Sequence, residues 1–123
     1  MANKSALVFG IIFLVVGVLG FFSNPLLGVF DVDTLHSVIH VVFGLILVVV
    51  GTKSSSAAAT TLVWVGVIYL LLAVVGFLQG DTVLGIIPVN SADNWLHLVL
   101  GAVILLLGWS GKKEVSVASA PQV

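Results

Sequence analysis

"LLGVFDVDTLHSVIHVVFGLILVVVG", residues 26–51, decides the fold, because the chain writes it twice. Moved along by 57 residues it falls without a gap on "VLGIIPVNSADNWLHLVLGAVILLLG", residues 83–108. Leu27-Gly28 meets Leu84-Gly85, His40 meets His97, Gly44 meets Gly101 and Gly51 meets Gly108. Asp33-Thr34 meets Asn90-Ser91, a chemically equivalent pair. At a shift of 56, Gly10 meets Gly66 and Gly20-Phe21 meets Gly76-Phe77. The chain therefore reads as two tandem helical hairpins, repeat one over 6–51 and repeat two over 61–108.

Each copy holds two apolar runs. The four are Ala6–Phe22, Thr34–Val50, Thr61–Leu78 and Ala92–Trp109. At about 17–19 residues, each lies at the short end of what crosses a bilayer core. None alternates with period two, which argues against a barrel. The composition agrees: 60% hydrophobic and 7% charged residues cannot cover a globule in water. The predicted fold is an all-α membrane protein, one four-helix bundle over 1–110. A disordered cytoplasmic tail is expected over 111–123. Because each repeat contains an even number of spans, both insert the same way up. Their pseudo-twofold axis then runs along the membrane normal, unlike the inverted repeats of many transporters.

Charge gives the orientation. Lys4, Lys53, Lys112 and Lys113 fall in the N-terminus, second loop and C-terminus, which four crossings place on one side. Asp31, Asp33, Asp81 and Asp93 gather toward the other. The positive-inside rule makes the lysine side cytoplasmic, with both termini there. The first span lacks a signal-peptide cleavage pattern and is expected to be retained. Without cysteine there is no disulfide, zinc–thiolate or iron–sulfur chemistry. A net charge of -1 gives no case for nucleic acid.

The pairs Asp33-Thr34 and Asn90-Ser91 read as caps for the second and fourth helices. Leu-Gly before each suggests a turn with glycine at a special backbone angle. Both outer loops are expected to fold back on the bundle. Gln79 and Asn94 are assigned to the outer interface, and Trp64, Trp95 and Trp109 to interfacial anchoring. Ser54–Thr61 is a small-residue connector able to extend the third helix.

On a helical wheel, Gly44, Leu47 and Gly51 share the face of His40, with His36 close to it. Asp93, His97, Gly101, Ile104 and Gly108 form the matching stripe. Gly10 and Gly17, then Gly66 and Ala73, repeat the seven-residue spacing. Small residues so placed let helix backbones approach closely. The expected helix-packing set is Gly10, Gly17, Gly44, Gly51, Gly66, Gly101 and Gly108.

The ionisable residues lie on the same stripes and so face the protein interior, as their cost in lipid requires. Three readings are open for His40 and His97. They are polar pins that fix register, with His36 and Asp93 as a further pair. They are axial ligands of a b-type haem or other tetrapyrrole, on facing helices of a bundle. Or they begin a proton or cation path, against which the stripes turn wholly apolar below Gly44 and Gly101. The haem reading lacks any arginine to hold propionates. The three histidines with Asp93 also have metal-ligand chemistry, but any interior-facing histidines would give that pattern, and no metal is assigned.

At "NSADNWLHLVLGAVILLLG", residues 90–108, the sequence resembles the small bacterial membrane-protein family called domain of unknown function 4383. Asn90, Asn94, His97 and Gly101 carry the resemblance, which extends over roughly residues 5–110. It implies a four-helix architecture and a bacterial inner-membrane address, but no activity. No nucleophile–base pair or phosphate loop is evident, so no enzyme is expected. The expected function is a structural or accessory helix-packing module in the lipid bilayer, as a homo-oligomer or within a larger membrane complex. No cofactor is expected. The alternative is a haem-binding electron-transfer module using His40 and His97.

Overall fold

A computed structural model describes residues 1–122. It contains α1 (Ala2–Gly20), α2 (Thr34–Lys53), α3 (Ser55–Gln79) and α4 (Ser91–Ala118), with a two-stranded ribbon, β1 (Thr82–Val83) and β2 (Ile87–Pro88), before α4. All four helices are long and apolar enough to cross a membrane. Of 28 residues, α4 is about 42 Å long and exceeds a bilayer core of about 30 Å.

The spans fall where the hydropathy places them, but several ends differ. The connector between α2 and α3 shrinks to Ser54, because its small residues join α3. The Ser54 side chain accepts from Ala57 N–H and caps that helix. At the far end, α4 continues through Lys112, Lys113 and Glu114 to Ala118. The expected disorder from residue 111 is thus replaced by helix, apart from Ser119–Gln122; Val123 lies outside the described residues. Gly111 packs against Ala2 and Ala59, and Glu114 lies 3.4 Å from the N-terminal ammonium, so the extra turns have neighbours to rest on.

The helices associate most extensively as α1 with α2 and α3 with α4. Among the described residues, α2 and α4 are the one helix pair without close backbone contact. The interior comprises Ala2, Ala6, Phe13, Leu47, Tyr69 and Ile104, among others. Phe13 and Tyr69 stack at 5.2 Å between α1 and α3. Val8, Ile11, Val42, Leu45, Val74 and Val103 belong to the exposed apolar surface.

Within each hairpin the backbones nearly touch. A Cβ built on Gly10 would meet Val48 N at 2.9 Å and Gly44 O at 3.0 Å; one on Gly44 would meet Gly10 O at 2.9 Å. A Cβ on Gly66 would lie 2.5 Å from Leu105 N, and one on Gly101 2.8 Å from Leu70 N. Gly17 faces Val41, Gly51 faces Leu7, and Gly108 faces Val63 in the same way.

The loops opposite the lysines fold back by the same local device. Leu27 and Gly28 have φ of 54° and 73°; Leu84 and Gly85 have 56° and 72°. Two consecutive positive φ values are the mark of a type I′ turn. Val29 N–H donates to Leu26 O and Ile86 N–H to Val83 O, closing both turns. Glycine suits the second position because it lacks the Cβ that penalises this region.

Candidate functional site

The caps aim two helix starts at one place. Asp33 accepts from His36 N–H at 2.7 Å and opens α2. Asn90 accepts from Asp93 N–H at 2.9 Å, while Asp93 Oδ2 accepts from Asn90 N–H at 2.8 Å, a reciprocal capping box that opens α4. The same Asp93 oxygen takes Asp31 N–H at 3.0 Å, and Asn90 Nδ2 donates to Val29 O at 2.7 Å. These bonds draw the first outer loop across the start of α4. Asp93 Oδ2 is therefore satisfied by backbone, and the expected pairing with His36 is not among the described hydrogen bonds.

Inside the caps, about one turn in for His36 and about two for His40 and His97, lie three imidazoles, all buried. The expected meeting of His40 and His97 takes place, with His36 as a third member. The His36 ring is 4.9 Å from that of His40 and 5.8 Å from that of His97, between centroids. One ring nitrogen from each residue lies within 4.8 Å of the other two. The imidazoles thus occupy the interval that α2 and α4 leave between them.

An aromatic floor supports the cluster. Phe13 meets His40 edge-on at 5.5 Å, and Tyr69 meets His97 edge-on at 5.2 Å. Neither Phe13 nor Tyr69 was singled out by the sequence reading. The available signal was phase: Tyr69 shares a helical face with Gly66 and Ala73, and Phe13 lies between Gly10 and Gly17.

The site holds unpaired polarity. The Nδ1 atoms of His36, His40 and His97 are buried without a hydrogen-bond partner. Native interiors rarely leave such groups unmatched, and each costs about 1–3 kcal/mol. Ser37 Oγ and Asn94 Oδ1 are also unpaired. Asn94, expected at the outer interface, is buried instead because Gly76 leaves room for its amide. Gly20 makes the same room for Ser37. Gln79 stays exposed and its Oε1 accepts from Leu84 N–H at 2.6 Å.

Two small cavities flank the imidazoles. One of about 80 Å³ lies against the first outer loop, lined by the three histidines with Asp93, Leu27 and Phe30. The other, about 20 Å³, lies against the third loop beside Tyr69, Val83 and Val89. Larger hollows of about 470 and 430 Å³ occur near Lys112 and Glu114, remote from this chemistry. Pockets for drug-sized ligands run upward from about 300 Å³. The imidazoles pack on one another with no space of that size between them. A water or a single ion is the scale of guest the cluster accepts.

These features define a class: an all-helical protein of four membrane-length helices, with a capped, imidazole-lined interior at one end. The family model for Domain of unknown function (DUF4383) matches residues 4–110, and the chain belongs to that family. No curated protein and no solved structure matches it.

Proposed function

We propose that the protein is a non-enzymatic structural or accessory module of the bacterial plasma membrane, with both termini cytoplasmic. The observation that carries this reading is the backbone approach within each hairpin, at Gly10 with Gly44 and at Gly66 with Gly101. Where lipid supplies no hydrophobic drive between helices, close van der Waals packing holds them together. Gly17, Gly51 and Gly108 extend those seams. The seams face inward and leave an apolar outer surface for lipid and for other helices. The matched turns at Leu27-Gly28 and Leu84-Gly85 support a parallel repeat about an axis along the membrane normal.

The chain contains no cysteine, so a single introduced thiol reports its side cleanly. With Ser54→Cys and Asp81→Cys in intact cells, a membrane-impermeant maleimide should label only the second. Labelling of Ser54→Cys alone would invert the topology. Native mass measurement from membrane vesicles should give a defined assembly heavier than one 12.8 kDa chain. A lone monomer at every detergent concentration would remove the module reading.

A further inference from the structure

We propose that His36, His40 and His97 form a binding site for one divalent transition-metal ion of the zinc, copper or nickel class. Three imidazoles would supply the ligands, with a fourth position open to the small cavity beside Asp93. This goes beyond the packing role and does not depend on it.

Four observations converge. First, the donors are already gathered, with one nitrogen per ring inside a 4.8 Å circle. Tetrahedral zinc–imidazole bonds of about 2.0–2.1 Å would set those nitrogens about 3.4 Å apart, so side-chain rotation of about an ångström closes the site. Second, His36 and His40 sit at i and i+4 on one helix, the spacing by which two histidines share a metal on one helical face. His97 comes from α4, so the ion would bridge the two helices that lack close backbone contact. Third, each ring leaves a buried Nδ1 without a partner. Metal-bound imidazole uses one nitrogen on the ion and the other on an outer partner, so coordination together with cavity water relieves this deficit. Fourth, the adjoining cavity of about 80 Å³ has room for a water or two as the remaining ligand.

The surroundings favour a cation. Asp31, Asp33, Asp81 and Asp93 all belong to this end of the bundle, whereas every lysine lies at the other. Clefts lined by one sign of charge concentrate the opposite ion. The ligand type selects the metal: imidazole suits zinc, copper, nickel and iron, whereas calcium and magnesium require oxygen.

The test uses the full chain in mild detergent, purified without a histidine tag and stripped with chelator. Cobalt(II) alone is the first probe. One equivalent should produce the visible bands of four-coordinate cobalt, which zinc then bleaches. X-ray absorption at the zinc edge should show three imidazoles. Because the chain has three histidines in all, that count in a 1:1 complex names all the ligands. His36→Gln and His97→Gln should each weaken binding by more than about tenfold, since even outer-shell partners cost about 10–100-fold. The proposal is overturned if the folded wild type gives neither bands nor a thermal shift with zinc, which would leave water as the guest. It is equally overturned by an oxygen-only coordination shell, or by binding unchanged in both variants. Should the variants fail to fold, the imidazole count in the wild type decides.

Discussion

Phe13 and Tyr69 lie face to face at 5.2 Å with their planes 20° apart, one ring from each hairpin. They occupy matched positions at the 56-residue shift. Each then meets edge-on the histidine of its own hairpin, Phe13 with His40 and Tyr69 with His97. The stacked pair is one place where the two halves join, beneath the imidazoles. Replacing either ring by alanine should cost about 3–5 kcal/mol. A double-mutant cycle between them should return a coupling of about 0.5–1.5 kcal/mol. Additive losses in thermal unfolding would show that the rings do not act as a pair.

Gly44→Leu and Gly101→Leu should each destabilise the bundle by about 1–3 kcal/mol, because the added side chain meets backbone as well as a leucine side chain, and the backbone cannot move aside cheaply. Val99→Leu, at an exposed position, is the control. Melting temperatures in detergent that do not separate the two classes would contradict the close seams.

The caps make a graded prediction. Asp33→Ala removes one capping bond and should cost about 1 kcal/mol. Asn90→Ala should cost more, because it also breaks the bond to Val29 O that fastens the first loop. Hydrogen exchange of Val29–Val32 amides should quicken with Asn90→Ala and not with Asp33→Ala. The reverse order would mean that the loop is held some other way.

His40→Leu and His97→Leu should leave the metal-free bundle as stable as the wild type, or more so. Each removes a buried Nδ1 that has no partner. The two effects should be alike, since the residues are matched across the hairpins. A large loss in either variant, measured by thermal unfolding after chelation, would assign that ring a hydrogen bond the structure does not contain.

Periodicity and hydropathy placed all four helices, and the Asp33 and Asn90 caps and the Leu-Gly turns were legible because their chemistry is local. Helical phase shows which face of a helix is inward, but not which neighbour it meets. His40 and His97 were thus recognised as interior, while the central place of His36 and the support from Phe13 and Tyr69 emerged only in three dimensions. Asn94 was misplaced for a related reason: the glycine that receives it, Gly76, is on another helix. The helical tail through Lys112–Ala118 was missed because its packing partners, Ala2 and the N-terminus, are distant in sequence.

Ser54 alone separates α2 from α3, so the two hairpins are joined through a single residue outside any helix. Such a join does little for shape, since each half keeps its own glycine seam. What it governs is composition. Two identical hairpins meeting about an axis would have to repeat every residue, so a histidine at the first helix start would face a second copy of itself. A covalently joined pair is free of that obligation. It can hold His36 on one side where Asp93 stands on the other, and Ser37 where the other half has Asn94. A lopsided set of three imidazoles and one carboxylate is available to a single chain with two unlike hairpins and closed to a symmetric pair of identical ones.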